Sequence, residues 1–258
     1  MVKFDEASHR YSHNGDRYTS ATQLIDLVAN KFDTKGQAAR MAIQHGQTPE
    51  YWEGKWRRLS QEALDKGTAL HLQQEELLTA RGVDVDEGKV YRVQNADLIS
   101  SVGTPDYFYW PDGVYPELLL WNHEYKIAGR ADKVILSTHK SGYRFANIQD
   151  HKTNKKLRDA WFTPGEGYRR LRYPLAHLKD SDIIKYTLQM SIYQFMLEEM
   201  GFRAGKRVLL HYPPLPVGLG QYEGQLRKKP YKYKLDYLRN DVLLLINLDR
   251  NEQNHTGP

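Results

Sequence analysis

The hydrophobic pattern of the chain changes period at Tyr115, and this change restricts the fold more than any other feature. Upstream of Tyr115 apolar residues recur mainly at helical spacing, whereas downstream they alternate as they do in strands. Three consecutive strands are predicted, over residues 115–122, 123–137 and 142–153. An amphipathic helix over 182–201, which Gly201 is expected to stop, and a strand over 206–212 come next.

A long helical pattern over residues 60–82 precedes these strands. The order helix, three strands, helix, strand predicts an α/β domain in which a central mixed β-sheet is flanked by helices. No stretch has the composition of a linker, and no internal repeat is visible, so we expect one domain over 1–258. Its core covers about residues 60–212.

The two ends of the chain extend this core. Residues 2–20 alternate around Asn14-Gly15, which predicts a hairpin, and a helical segment follows with either Ser20 or Thr22 as its N-cap. This hairpin and helical extension occupies residues 1–59. Residues 213–258 form a basic segment with one more helix over 235–251.

The composition excludes several classes of protein. Since there is no cysteine, the chain has no disulfide, no thiolate zinc site, no cysteine nucleophile and no cysteine-ligated iron–sulfur cluster, so any metal must bind oxygen or imidazole. Mean hydropathy is -0.72, and no apolar run approaches the ~18 residues of a membrane span. The charged, turn-rich start lacks the apolar stretch of an export signal, so a cytoplasmic location is expected.

The formal net charge is +5 and the isoelectric point is near 9.1, which favours a polyanionic partner. Basic residues and tyrosines are interleaved over 165–174 and 225–240, a mixture that suits a phosphate backbone and stacked bases. A solvated, lysine-rich surface explains each segment equally well from sequence alone.

Three ionisable residues lie on neighbouring predicted strands. Asp150 and Lys152 are two apart, so an extended strand directs both side chains to one face. Asp132 lies on the preceding strand, where hairpin pairing brings its carboxylate beside that of Asp150. Because two close carboxylates repel each other unless a cation lies between them, and oxygen ligands suit Mg²⁺ or Mn²⁺, this pattern predicts a metal site. The alternative is a surface strand with an Asp–Lys ion pair.

Two further pairs of polar residues have helical i, i+4 spacing. His71 and Glu75 share one face of the helix that precedes the strands, and Gln189 and Tyr193 share one face of the helix that follows them. Each pair alone has a structural explanation: a packed histidine, or a hydrogen bond between Gln and Tyr. Their order around the two strand motifs points to one shared site.

These residues resemble the motifs of a known family, the PD-(D/E)xK nuclease superfamily in its RecB-like branch. The resemblance covers over half of the chain, from Gly67 to about His211. Its motifs are Gly67-Thr68-Ala69-Leu70-His71 with Glu75, Glu117 on the first strand, Ala128-Gly129-Arg130-Ala131-Asp132, Ile148-Gln149-Asp150-His151-Lys152-Thr153, and Gln189-Met190-Ser191-Ile192-Tyr193. The N-terminal segment is also similar to that of virus-encoded members, which would place the protein in the host cytoplasm.

The resemblance implies a restriction-endonuclease-like core and a DNA nuclease that needs one or two Mg²⁺ or Mn²⁺ ions. Asp132 and Asp150 would bind the metal, with His71 and the His151 carbonyl as further ligands. Lys152 would position or activate the attacking water. Gln189 and Tyr193 would support the site and contact DNA. Glu75 and Glu117 would serve a second metal or orient His71. Some relatives carry an iron–sulfur cluster, which this cysteine-free chain cannot hold.

The expected partner is DNA, single- or double-stranded and bound at its ends, together with a recombination or replication protein; no membrane partner is expected. The candidate DNA contacts are basic residues near the strand motifs or in the basic segments: Lys155, Lys156, Arg158, Arg169, Arg170, Arg172, Lys228 and Lys229. Four tryptophans are candidates for base stacking: Trp52, Trp56, Trp110 and Trp161.

The function expected from the sequence is therefore an exonuclease that hydrolyses DNA phosphodiesters with metal-activated water, in recombination, repair or genome processing. An endonuclease of the same fold, a non-catalytic DNA-binding subunit and a hydrolase of small phosphorylated substrates are the alternatives. An intact Asp132, Asp150 and Lys152 set argues against the binding subunit, because a module that only binds a polyanion does not need two acids beside it.

Overall fold

A computed structural model of the chain describes residues 2–5, 8, 10–95, 110–164, 166–215 and 225–255. Parts of the predicted N-terminal hairpin and of the C-terminal basic segment lie outside these residues. No helix in the described ranges combines the length and the apolar character needed to cross a bilayer.

The described residues form twelve strands and five helices. The strands are β1 (Lys3–Asp5), β2 (Arg10–His13), β3 (Asp16–Ser20), β4 (Val83–Asp86), β5 (Lys89–Arg92), β6 (Gly113–Asn122), β7 (Ile127–Thr138), β8 (Arg144–Lys152), β9 (Phe162–Thr163), β10 (Gly167–Tyr168), β11 (Arg203–His211) and β12 (Tyr231–Leu235). The helices are α1 (Ala21–Asp26), α2 (Thr34–His45), α3 (Pro49–Arg81), α4 (Asp182–Glu199) and α5 (Arg239–His255).

Eight strands form one mixed sheet, which confirms the predicted fold class. At its centre β6 pairs antiparallel with β7, and β7 pairs antiparallel with β8. Strand β11 lies parallel to β8, as expected after a helical crossover, and β12 closes that edge in antiparallel orientation. On the other side β3 joins β7 in parallel and continues into the hairpin of β2 and β1.

Helix α4 covers the centre of this sheet because it is apolar on nearly every side. Eleven of its residues are buried, among them Leu188, Met190 and Phe195. They pack against Val134, Leu136 and other apolar residues of the central strands, with α1 and α5 completing the same core. The Ser181 side chain caps the helix by accepting a hydrogen bond from the Ile184 N–H.

The N-terminal extension is fastened to both the sheet and the last helix. The turn of the predicted hairpin lies at Asn14 and Gly15, both with positive φ. The Thr19 hydroxyl donates a 3.0 Å hydrogen bond to Asp249 of α5. The next residue, Ser20, caps α1, which decides between the two caps that the sequence left open.

Several boundaries differ from the sequence predictions. Helix α3 begins at Pro49 rather than Ser60, and α5 begins at Arg239 rather than residue 235. Strand β7 begins at Ile127 rather than residue 123, because residues 123–126 form the turn that follows β6. Helix α2 and the β4–β5 hairpin were not predicted.

The cap at Ser20 gives a test of this local structure. In the α1 capping box the Ser20 side chain and the Gln23 side chain each accept a hydrogen bond from the other's backbone N–H. We expect Ser20→Ala to cost about 1 kcal/mol and to lower the Tm by about 2–4 °C in calorimetry. Thr22→Ala is the matched control, since Thr22 is an exposed helical residue, and it should leave the Tm within about 1 °C. Equal losses in the two variants would contradict the assignment.

Candidate active site

Strand β7 changes its neighbour in the middle of the sheet, next to Asp132. Its first residues pair with β3 up to Ala128, and its pairing with β8 starts only at Lys133. On that side, residues 129–132 have no strand partner within the described part of the chain. The two strands therefore diverge at Asp132, and a notch in the sheet results.

The alternation of side chains also breaks at this point. In β7 the core residues Ala131 and Val134 are three apart, and in β6 Tyr115 and Leu118 are three apart, although regular strands repeat every two residues. Glu117 lies opposite Asp132 between these positions, in the left-handed region at φ 48°. In both strands the side chains that face the core are thus shifted by one residue at this point. As a result, neither Glu117 nor Asp132 is part of the apolar core.

The two carboxylates meet His71 of α3 on the side of the sheet away from the core. The His71 Nδ1 atom lies 3.4 Å from Glu117 Oε1 and 3.4 Å from Asp132 Oδ2. One ligand atom from each of the three residues lies within 4.8 Å of the other two. Three different elements, α3, β6 and β7, supply the group, which has the oxygen and nitrogen donors that a divalent cation accepts.

The charges in this group reinforce each other. Burial would lower the pKa of His71, but the hydrogen bond to Glu117 and the negative charge of Asp132 outweigh it and raise that pKa. Burial would raise the pKa of Asp132, but hydrogen bonding to His151 and the positive charges of Lys152 and His71 lower it to about 2.

Asp150 and Lys152 lie on β8, at the other side of the notch. The Lys152 Nζ atom is 2.8 Å from Asp150 Oδ2, and Asp150 is 1% exposed. Apart from Lys152, no described residue donates a hydrogen bond to either Asp150 oxygen. Burial and the charge of Asp132 raise the pKa of Asp150, despite the opposing effect of Lys152. Burial would lower the pKa of Lys152, but the two aspartates raise it.

Asp150 is not one of the three residues whose ligand atoms converge within 4.8 Å, so the expectation that Asp132 and Asp150 share one ion stays a prediction. His151 follows Asp150 on β8 and donates its backbone N–H to Asp132 Oδ2 at 2.7 Å, which places Asp132 next to this part of β8. This bond takes the place of the missing strand pairing. The role predicted for the His151 carbonyl stays a prediction.

Helix α4 supports the site from below. The Gln189 side chain donates a 2.9 Å hydrogen bond to the Tyr193 hydroxyl, as their spacing suggested. A Cβ atom at Gly129 would lie only 2.5 Å from the Tyr193 ring, so glycine is required for β7 to lie on this tyrosine. Gln189 and Tyr193 therefore lie beneath the notch, where they can support the site as predicted. Their predicted contact with DNA stays a prediction.

A cleft of about 480 Å³ opens above the group. Its lining includes His71, Glu117 and Lys152, together with Gly67 and Thr68 of the predicted histidine motif. The cleft wall also contains two residues that sequence reasoning did not assign. The guanidinium of Arg130 is 3.0 Å from Glu117 Oε2 and stacks on the ring of Phe4.

The predicted DNA contacts differ in their surroundings. Arg158 pairs with Asp182, Arg169 lies 4.0 Å from Asp180, and Arg170 and Arg172 donate hydrogen bonds to backbone carbonyls. These four arginines therefore have structural partners in the protein. The predicted lysines are exposed: Lys155, Lys156, Lys228 and Lys229. Glu75 is half-buried one turn beyond His71 and lies outside the group of three.

The comparisons with known proteins give weak likenesses of fold. No protein-family model and no curated protein matches the chain. The crystal structure of SSO0001 has a TM-score of 0.38 and 16% identity, over 95% of this chain and 80% of the other. A candidate exonuclease from Eubacterium rectale has a TM-score of 0.35 and 11% identity, over 91% of this chain and 79% of the other. At these scores neither likeness identifies the family of the chain.

The raised pKa of Asp150 predicts a cost in stability for the metal-free protein. A group whose pKa is higher in the folded state loses its stabilising contribution as the pH rises through that pKa. In EDTA we therefore expect the stability of Asp150→Asn relative to the wild type to increase as the pH rises from 4 to 8, because only the wild type loses a proton from this group. Urea unfolding at several pH values measures this. A relative stability that stays constant or falls over this range would contradict it.

Proposed function

We propose that the protein is a metal-dependent DNA nuclease that hydrolyses phosphodiester bonds, and that it acts as an exonuclease. The observation that carries the proposal is the convergence of His71, Glu117 and Asp132 beside the buried Asp150–Lys152 pair. A surface ion pair would not be buried, and it would not adjoin three further ligand atoms. His71, Glu117 and Lys152 line the cleft above the group, so a phosphate can approach these three side chains.

The side chains fit a divalent cation. Apart from Lys152, no described residue donates to the buried Asp150 carboxylate, and a second ionised carboxylate, Asp132, belongs to the same group. Lys152 supplies one positive charge against these two acids, so a divalent cation would offset the remaining cost of their burial. Asp132, Glu117 and His71 would hold the ion, with Asp150 as the ligand from β8. When bound, Mg²⁺ or Mn²⁺ supplies a water of lowered pKa and stabilises charge on the phosphate oxygens.

The surroundings of Lys152 favour its protonated form, so they do not prepare it to act as a base. Its ammonium pairs with Asp150 and lies 5.0 Å from the centre of the Tyr186 ring. Since its pKa is raised, it is protonated at neutral pH and cannot accept a proton from water in the metal-free protein. Of the two roles that the sequence suggested, the geometry favours the one in which Lys152 orients the water and stabilises negative charge on the phosphate.

The chain after Lys152 supports a path for the DNA backbone. Thr153 and Asn154 line the same cleft, and the exposed Lys155 and Lys156 follow directly. Because this path begins at the proposed ligands, phosphates next to the scissile bond would meet these lysines first.

The activity is tested with end-labelled linear and closed circular DNA, each single- and double-stranded, in Mg²⁺, Mn²⁺ or EDTA. We expect degradation of linear DNA that depends on the metal, with closed circles left intact. Cleavage of circles at a similar rate would instead identify an endonuclease. The absence of any metal-dependent cleavage, in protein that binds DNA, would favour the non-catalytic alternative.

Lys152→Ala separates chemistry from binding. If Lys152 stabilises charge that develops on the phosphate, its removal should lower the turnover number by roughly 100-fold or more. The affinity for DNA in Ca²⁺ should change less than about threefold, since one phosphate contact contributes little to the total. Lys155→Ala is the control, because it removes an exposed lysine that follows the site. Equal losses of turnover and affinity in Lys152→Ala would indicate a binding role.

His71→Ala tests the metal group. Removal of one of three converging ligand atoms should shift the Mg²⁺ concentration for half-maximal cleavage upward by roughly tenfold or more. His139→Ala is the matched control, because His139 is an exposed histidine in the turn between β7 and β8. An unchanged Mg²⁺ titration in His71→Ala would reduce His71 to a packing residue.

A further inference from the structure

Trp161 differs from the other described tryptophans in its exposure. Its side chain is 75% exposed, whereas Trp52, Trp110 and Trp121 are 9% exposed or less. A large apolar ring is rarely left in water to this extent without a partner, because its burial would be favourable. Four tryptophans are candidates for base stacking from the sequence, and Trp161 is the most exposed of them.

Trp161 begins a small aromatic hairpin. It directly precedes β9, whose Phe162 is 56% exposed, and β10 carries Tyr168, which is 40% exposed. The Phe162 and Tyr168 rings lie edge to face with centroids 5.1 Å apart, and the backbone N–H of Arg169 donates to the Trp161 carbonyl at 2.6 Å. The described residues of the hairpin therefore present three exposed rings.

The segment that follows Lys152 connects this hairpin to the candidate active site. The segment that leads to it from Lys152 is fastened twice to α4, by the Tyr186 hydroxyl bound to Asn154 and by Asp182 paired with Arg158. The two anchors are one helical turn apart, about 6 Å. Three more residues reach Trp161, so it lies within roughly 25–30 Å of Lys152. That distance corresponds to about eight stacked nucleotides.

Basic side chains lie near the aromatic rings. Residues 155–179 contain seven lysines and arginines against two acidic residues. Asp180 and Asp182 neutralise two of the arginines, so the exposed Lys155 and Lys156 carry much of the remaining charge. Lys179 lies with its Nζ atom 3.7 Å from the centre of the Tyr168 ring. Aromatic rings set among basic side chains match a strand with exposed bases and a phosphate backbone.

From this we infer that the β9–β10 hairpin is a stacking platform for the unpaired bases of a nucleic acid strand that leads into the cleft. The inference rests on the proposed function and adds to it the substrate class, which is a single strand or an unpaired end. A continuous duplex cannot use the platform, because its base faces are already stacked on each other. A duplex would therefore gain only the contacts to its phosphates.

The test measures equilibrium binding in EDTA, so it does not depend on cleavage. Fluorescence anisotropy with a labelled oligothymidylate of about 15 nucleotides and with a duplex of equal length gives the two dissociation constants. We expect Trp161→Ala to weaken binding of the single strand by about tenfold, the loss of one base–aromatic stack, and to leave duplex binding unchanged. Trp161→Phe should retain most of the affinity.

Two controls separate stacking from charge and from loss of structure. Tyr143→Ala removes a 49% exposed ring that precedes β8 at the opposite end of that strand, and it should bind both ligands as the wild type does. The double variant Lys155→Ala, Lys156→Ala should reduce the dependence of affinity on salt, whereas Trp161→Ala should not. Circular dichroism checks that each variant is folded.

The outcomes distinguish the inference from the proposed function. Unchanged affinity of folded Trp161→Ala for the oligonucleotide overturns the inference, even if the wild type degrades DNA. Wild-type self-association that is lost in that variant, with no change in nucleotide binding, would instead identify a protein interface and also overturn it. Strand binding that needs Trp161, in a protein without metal-dependent cleavage, would support the platform and refute the nuclease.

Discussion

The exchange of neighbours along β7 is the constraint on which the candidate site depends. Each strand must satisfy its backbone N–H and C=O groups on both sides, and β7 does so with β3 first and β8 afterwards. Between them the Asp132 carboxylate accepts the backbone N–H of His151. The Asp132 side chain thus takes the place of a strand partner, and this hydrogen bond fixes its carboxylate beside His71 and Glu117.

The same arrangement concentrates charge where burial opposes it. Asp132 is held ionised by the groups around it, while its neighbour Asp150 is pushed towards protonation. Lys152 partly offsets the repulsion between the two acids, but the desolvation of its own buried ammonium costs free energy, so the arrangement is unfavourable if stability is its only role. Proteins accept such costs mainly where binding or chemistry requires them. The energetics therefore argue for a functional role of the notch independently of any likeness to other proteins.

The sequence predicted the order of the core elements because three strands and α4 have long, strongly periodic patterns. It also selected His71, Asp132, Asp150 and Lys152. Residues at i, i+2 in a strand or at i, i+4 in a helix share one face, so their proximity can be predicted from the sequence alone. It ranked Glu117 below them, because nothing in a strand pattern shows that the backbone adopts a positive φ at that residue. The true start of α3 was signalled by Thr48-Pro49, a cap and a first-turn proline. The exposure of Trp161 depends on long-range packing, which local patterns do not contain.

The hydrogen bond between Thr19 and Asp249 joins residues 230 positions apart. Strand β3, moreover, is joined to the centre of the sheet through β7, more than a hundred residues downstream. During synthesis the first hairpin must therefore wait for most of the chain to leave the ribosome before it can dock. Contacts of such large sequence separation slow folding, so the early hairpin is a segment that a nascent chain would keep exposed for longest.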